Sequence, residues 1–256
     1  MIRFLTATQH VASRFVAHRM ANRYHSIAPF RMADFCFATG SSPEMVYAEL
    51  RLMIESGELD LSMLNTYNLD EYVGLPDDHP ERYWNFMDRL LFGPANIPVE
   101  RRHFPDPANP ELYETQLRHY TTASGLDFAL LGIGRDGHIA FNMPGSSFNS
   151  LTRVVDISPT TRQDNARFFD GNVDLVPKQA VTMGIGTICD LPTEIVLIAF
   201  GPGKSDIVRQ AFTQRPTEDC PASALQQKHV APKVTVIVGD GAEQGLIDAG
   251  IVLGTI

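Results

Sequence analysis

The chain has 256 residues, 44% of them hydrophobic and 20% charged, with 30 acids against 21 bases and a formal net charge of −9 at pH 7. That composition excludes a disordered or fibrous protein, and the length suits one large α/β domain or two small ones. The acidic balance excludes non-specific binding to nucleic acid or an anionic membrane, since either needs a basic face, but a small phosphorylated metabolite held by a few converging donors stays open.

The first 33 residues carry Arg3, Arg14, Arg19, Arg23 and Arg31 and no acid before Asp34, which superficially resembles a transit peptide. Val11, Phe15, His18 and Met20 fall roughly on one side of a helix beginning after Thr8, so an opening domain helix is expected instead. Short apolar runs then alternate with helix-like segments. A strand is expected over 35–39 and a helix over 43–56. A second strand covers 63–69, and a helix over 80–92 carries Trp84, Met87 and Leu91 on one side. A helix over 110–122 precedes a strand over 127–133. Ser158 as cap and Pro159 at the first position open a helix to about 169. A nearly pure apolar strand at 194–200, a helix over 204–213, a strand over 233–238 and a helix over 242–248 complete the series.

Continuous apolar strands separated by helices predict a doubly wound, mostly parallel sheet with helices on both faces, a Rossmann-like α/β fold. No repeat or linker interrupts residues 1–256, so one domain is expected. The cysteines Cys36, Cys189 and Cys220 lack any metal-ligand or CxxC spacing. No disulfide framework and no metal site are expected, and the setting reads as cytoplasmic. No apolar run approaches the ~18 residues that span a membrane.

In such a sheet ligands bind beyond the carboxyl ends of the strands, which directs attention to four loops. The first, Thr39-Gly40-Ser41-Ser42-Pro43-Glu44, sits ahead of a helix. It reads equally as an anion cradle or as a capping box with Ser41 as cap and Glu44 reaching back. Asp70 and Glu71 follow the second strand where no capping role is evident, so one of them is a candidate base, with a solvated acidic loop as the alternative. Gly201-Pro202-Gly203-Lys204 places a lysine in the first turn of a helix, where the dipole favours anions; a bound phosphate would account for it, as would an ordinary surface position. Arg167 could join it. The fourth loop is the most informative: an apolar strand stops at Gly132-Ile133-Gly134 and then presents Asp136 and His138, an acid and a histidine two residues apart. Together these parts suit proton transfers on a small phosphorylated substrate.

GIGRDGHIAFN (132–142), NLDEYVGLP (68–76) and ATGSSP (38–43) resemble the glucosamine-6-phosphate deaminase family. The stretches at 167–188 and 221–226 extend the likeness nearly end to end. The 6-phosphogluconolactonases have a similar DGH element, and AFN at 140–142 favours the deaminase branch. The resemblance implies ring opening of a hexosamine 6-phosphate, proton movement between C2 and C1, and release of ammonia, with no metal or organic cofactor. It implies that His138 is the acid–base group, oriented by Asp136, and that Asp70 handles the C2 proton. Thr39, Gly40, Ser41, Ser42, Arg167 and Lys204 would hold the phosphate. A small sugar phosphate is thus the expected partner, with self-association left open.

Two positions depart from the family. Met143 stands where a glutamate normally completes the relay with the histidine, and a thioether carries no proton usefully. Either the Asp136–His138 pair suffices or the sugar differs, with galactosamine 6-phosphate the alternative; a sugar-phosphate sensor without turnover is a third reading. Downstream, Val155 replaces one of the basic residues that bind an acetylated activator in allosteric relatives, so that activation is expected to be absent.

Overall fold

The computed structural model describes residues 1–119 and 125–256. In chain order its elements are β1 (Arg3–Thr6), α1 (Gln9–His25), β2 (Ala33–Phe37), α2 (Glu44–Glu55), β3 (Leu64–Asn68), β4 (Asp70–Tyr72), α3 (Tyr83–Met87), β5 (Arg102–His103) and α4 (Pro110–His119). They continue with β6 (Phe128–Leu131), β7 (Arg153–Asp156), α5 (Pro159–Asn165), β8 (Gln179–Thr182), α6 (Ile185–Asp190) and β9 (Ile195–Phe200). The last are α7 (Ser205–Thr213), β10 (Val234–Gly239), α8 (Gln244–Asp248) and β11 (Gly254–Thr255).

Eight strands form one sheet in the order β11-β1-β10-β9-β6-β2-β3-β5, and every neighbouring pair is parallel. The doubly wound α/β expectation is met. Alternate residues of the central strands feed two separate cores: Leu131, Leu197 and Val236 lie in one, and Leu130, Val196 and Ile237 in the other. Period-2 alternation into two apolar layers is why these strands read as unbroken hydrophobic runs.

The strand order places the functional cleft. From β2 the chain winds outward through β3 to β5, whereas β6 pairs with the other side of β2 and continues through β9 to β10. The winding direction therefore reverses between β2 and β6, and the loops leaving their carboxyl ends, 38–43 and 132–138, face each other across that crevice.

Several expectations need correction. Residues 70–72 are not a loop: β4 pairs with β8, and β8 with β7, in a second, antiparallel sheet. Strands of three or four residues are too short to leave a readable period. The short strands β1, β5 and β11, the last two at the sheet edges, escaped notice for the same reason. The opening helix exists, capped by the Thr8 side chain, but Val11 is exposed and the buried face is Ala12, Ser13, Val16, Ala17, Met20, Ala21 and Tyr24. Small residues let α1 pack closely on α2, a face that a search for large apolar side chains misses. The helix expected over 80–92 is α3 followed by a wider turn over Asp88–Phe92; Met87 and Leu91 are buried, while Trp84 is half-buried against Phe104. The expected end of the helix over 110–122 lies outside the described residues.

Candidate active site

A cavity of about 450 Å³ opens at the switch point. Of the residues singled out in the sequence, Thr39, Gly40, Ser41, Ser42, Asp70, His138, Arg167 and Lys204 all line it. Asp136 does not reach the cavity but stands behind His138.

The Asp136–His138 pair is local in origin. Gly137 turns the chain at φ +86°, in the left-handed region that glycine tolerates, against Cys220 and Ile207. The Gly134 N–H donates to the His138 carbonyl at 2.9 Å and closes the loop. The His138 ring lies over Gly134 so closely that a Cβ there would come within 2.1 Å of Cε1. Asp136 Oδ1 lies 2.5 Å from His138 Nδ1 and accepts the His138 backbone N–H at 3.2 Å. Holding Nδ1 leaves Nε2 as the nitrogen free to exchange a proton. Burial by itself would raise the Asp136 carboxyl, but the hydrogen bonds and charge of His138 bring it below the usual carboxylate range.

The two acids at 70–71 divide their work. Glu71, read above as lacking any capping role, accepts the backbone N–H groups of Tyr83 at 2.9 Å and Trp84 at 3.0 Å and so caps α3 across 12 residues of sequence. Asp70, on the opposite side of β4, turns to the cavity while being 5% exposed. Burial, and then the neighbouring Glu71 charge, push its carboxyl well above the ordinary range. A raised carboxyl group is the stronger base once ionised.

At the other end of the cavity the capping box is not made: Pro43 occupies the N-cap of α2 with no side-chain capping bond. The Ser41 hydroxyl instead accepts from Arg167 Nη2 at 3.2 Å. Lys204 belongs to a short 3₁₀ turn ahead of α7 and its Nζ donates to the Ile133 carbonyl at 2.7 Å. Burial lowers its ammonium from the usual lysine range, an effect Asp164 opposes. Hydroxyls and two cations thus line the same cavity as a buried carboxyl and a histidine.

Met143 is not a lining residue. It packs against the aromatic cluster of Tyr72, Tyr83, Phe141 and Phe169, and its sulfur accepts from the Thr161 hydroxyl at 3.5 Å. Lining residues that the sequence reading missed include Tyr72, Tyr83, Asn165, Arg135 and Asp164. Tyr72 was accessible from spacing, because it shares the face of β4 with Asp70; its hydroxyl accepts from Asn165 Nδ2 at 2.9 Å. Tyr83 opens α3, and Asn165 and Asp164 end α5, where nothing local marks them, while Arg135 sits within the 132–142 motif but was passed over for the Asp136–His138 pair.

The fold and this cleft define an α/β protein whose switch-point cavity gathers hydroxyls, two cations, a buried carboxyl and a histidine held by an aspartate. The family model described as glucosamine-6-phosphate isomerases/6-phosphogluconolactonase matches residues 7–236, and the chain belongs to that family. Among similar sequences, glucosamine-6-phosphate deaminase 2 of Bacillus subtilis is 44% identical over 218 residues, covering 83% of this chain and 85% of its own. Glucosamine-6-phosphate deaminase of Pseudarthrobacter chlorophenolicus is 45% identical over 221 residues, covering 82% and 80%. A solved monomeric glucosamine-6-phosphate deaminase superposes with a TM-score of 0.88 at 35% identity, covering 95% of this chain and all of the other. The 6-phosphogluconolactonase of Trypanosoma cruzi, at 20% identity and a TM-score of 0.76, shares the fold.

Proposed function

We propose that this protein is a glucosamine-6-phosphate deaminase: glucosamine 6-phosphate and water give fructose 6-phosphate and ammonia. The observation that carries the reading is Asp70 in one cavity with the Asp136–His138 pair and an anion cradle, in a chain 42–45% identical to deaminases over about four fifths of its length. His138, oriented by Asp136, exchanges the proton that opens the sugar ring. Asp70 then takes the C2 proton and returns it to C1, a role that its high proton affinity supports. Water replaces the nitrogen at C2, and ammonia leaves. The phosphate end of the cavity holds the substrate so that C2 meets Asp70, which converts binding into proximity.

Ammonia release from glucosamine 6-phosphate, compared with galactosamine 6-phosphate, tests the reading directly; release from neither sinks it. Lys204→Met is expected to raise KM about tenfold with kcat altered less than about threefold, as befits a charge-assisted contact made in ground and transition state alike. Steady-state kinetics on ammonia production check this split.

The position of Met143 favours the view that the Asp136–His138 pair suffices. Met143→Leu preserves volume and is expected to keep kcat within about threefold. Met143→Glu brings a carboxylate to an aromatic cluster and is expected to destabilise the fold by about 1–3 kcal/mol. Urea titration and turnover of both variants decide it: a Leu variant without activity would restore a direct role for residue 143.

Among the described residues no helix is long and apolar enough to cross a membrane. A cytoplasmic setting is supported by three buried, unpaired cysteine thiols.

A further inference from the structure

Arg135, in the loop between Gly134 and Asp136, has no part in the chemistry assigned so far. Its guanidinium reaches across the cavity mouth to Asp164 on α5, with Nε 3.0 Å from Oδ2 and a second contact from Nη2 to Oδ1. Both residues line the cavity together with Ser41, Arg167 and Lys204. The Arg135 side chain is 59% exposed, so surface packing does not explain its placement. An ion pair this open contributes little stability on its own.

The geometry of the fork is informative. Asp164 engages the Nε/Nη2 edge, and a guanidinium has five donors arranged on more than one edge. The Nη1 edge keeps its donors for another planar or tetrahedral oxyanion. The cavity that Arg135 and Asp164 line also holds Lys204 and Arg167, the latter donating to the Ser41 hydroxyl.

We propose that Arg135 is a third cation for the substrate phosphate and that Asp164 is the positioning residue that holds it over the cavity mouth. The proposal rests on the deaminase reading for its substrate. It assigns recognition of the sugar phosphate to a pair linking the catalytic loop to α5. The free edge meets phosphate oxygens while the Asp164 edge stays engaged, so no proton or bond changes hands. Losing the arginine weakens binding twice over: a donor pair disappears, and an uncompensated carboxylate is left beside a dianion.

The test uses the intact protein and two readouts. Arg135→Met is expected to raise both KM for glucosamine 6-phosphate and Kd for inorganic phosphate about tenfold, with kcat nearly unchanged. Its affinity should also depend less steeply on salt. Asp164→Asn alone is expected to weaken phosphate about two- to fivefold, because the arginine loses its anchor. Added to Arg135→Met, the same change should restore part of the affinity by removing the unpaired carboxylate. Arg135→Met binding phosphate as tightly as the unaltered protein would overturn the assignment, and so would tighter binding by Asp164→Asn alone. The phosphate titration decides this point even if no ammonia is released. An active protein whose Arg135→Met variant behaves identically sinks the arginine assignment and leaves the deaminase reading standing.

Discussion

Asp70→Asn is expected to slow ammonia release by about 10²–10⁴-fold while raising thermal stability at neutral pH. The loss follows from replacing the base that handles the C2 proton with an amide that cannot accept it. The gain follows from burial, which with the Glu71 charge raises the Asp70 carboxyl well above its ordinary range. Between the unfolded and folded values, the folded chain keeps a proton that the unfolded chain has released. The contribution of this group to stability is therefore full below the unfolded carboxylate range and declines as pH rises through the raised value. Asparagine carries no charge and escapes that decline, so the Tm difference between variant and parent should grow with pH across the window. Activity of the unaltered protein should show the complementary pattern, kcat/KM falling as acid protonates Asp70. Calorimetry at several pH values, together with turnover, checks both halves. A variant that loses activity and Tm equally at every pH would mark Asp70 as structural support.

Gly134→Ala is expected to cost about as much in kcat as removal of the histidine itself, again about 10²–10⁴-fold, with a smaller effect on KM. The added Cβ would lie 2.1 Å from His138 Cε1 and 2.2 Å from Nδ1, far inside contact distance. Backbone on both sides of the loop is tied down, since the Gly134 N–H donates to the His138 carbonyl and the Gly137 N–H to the Gly134 carbonyl. The ring must therefore give way, and with it the 2.5 Å contact to Asp136. Ser41, Ser42, Arg167 and Lys204 come from other loops, so binding should suffer less than kcat, with any rise in KM reporting a shift of the adjacent Arg135. Because both changes remove the same ring from the same place, Gly134→Ala combined with His138→Asn should be no slower than the worse single variant. Multiplying losses would show that the glycine serves something other than the ring.

These two predictions draw on different kinds of information. The Asp136–His138 pair was legible as text, because the partners are two residues apart and the turn between them needs a glycine. Gly134 was visible as a strand terminator, but its contact with the ring was not. Asp70 stood out beside Glu71, and only the family resemblance chose between them; residue type and spacing did not. The choice came from α3, whose first N–H groups Glu71 satisfies from 12 residues away. A cap supplied from that distance has no local signature, unlike the Ser158 cap that opens α5.

What the amino-acid order determined by itself is the alternation of strands and helices, the parallel sheet and the motif loops at its carboxyl edge. Each follows from short-range rules: strands buried on both faces must be continuously apolar, and helix starts need caps. Tertiary structure alone decided that the winding reverses between β2 and β6, bringing 38–43 against 132–138. It also decided that 70–72 joins a second sheet, that Met143 turns to an aromatic cluster rather than the cavity, and that Arg135 meets Asp164. The reason is common to all four. Each depends on burial and on contact between distant segments, which short-range rules along the chain do not specify.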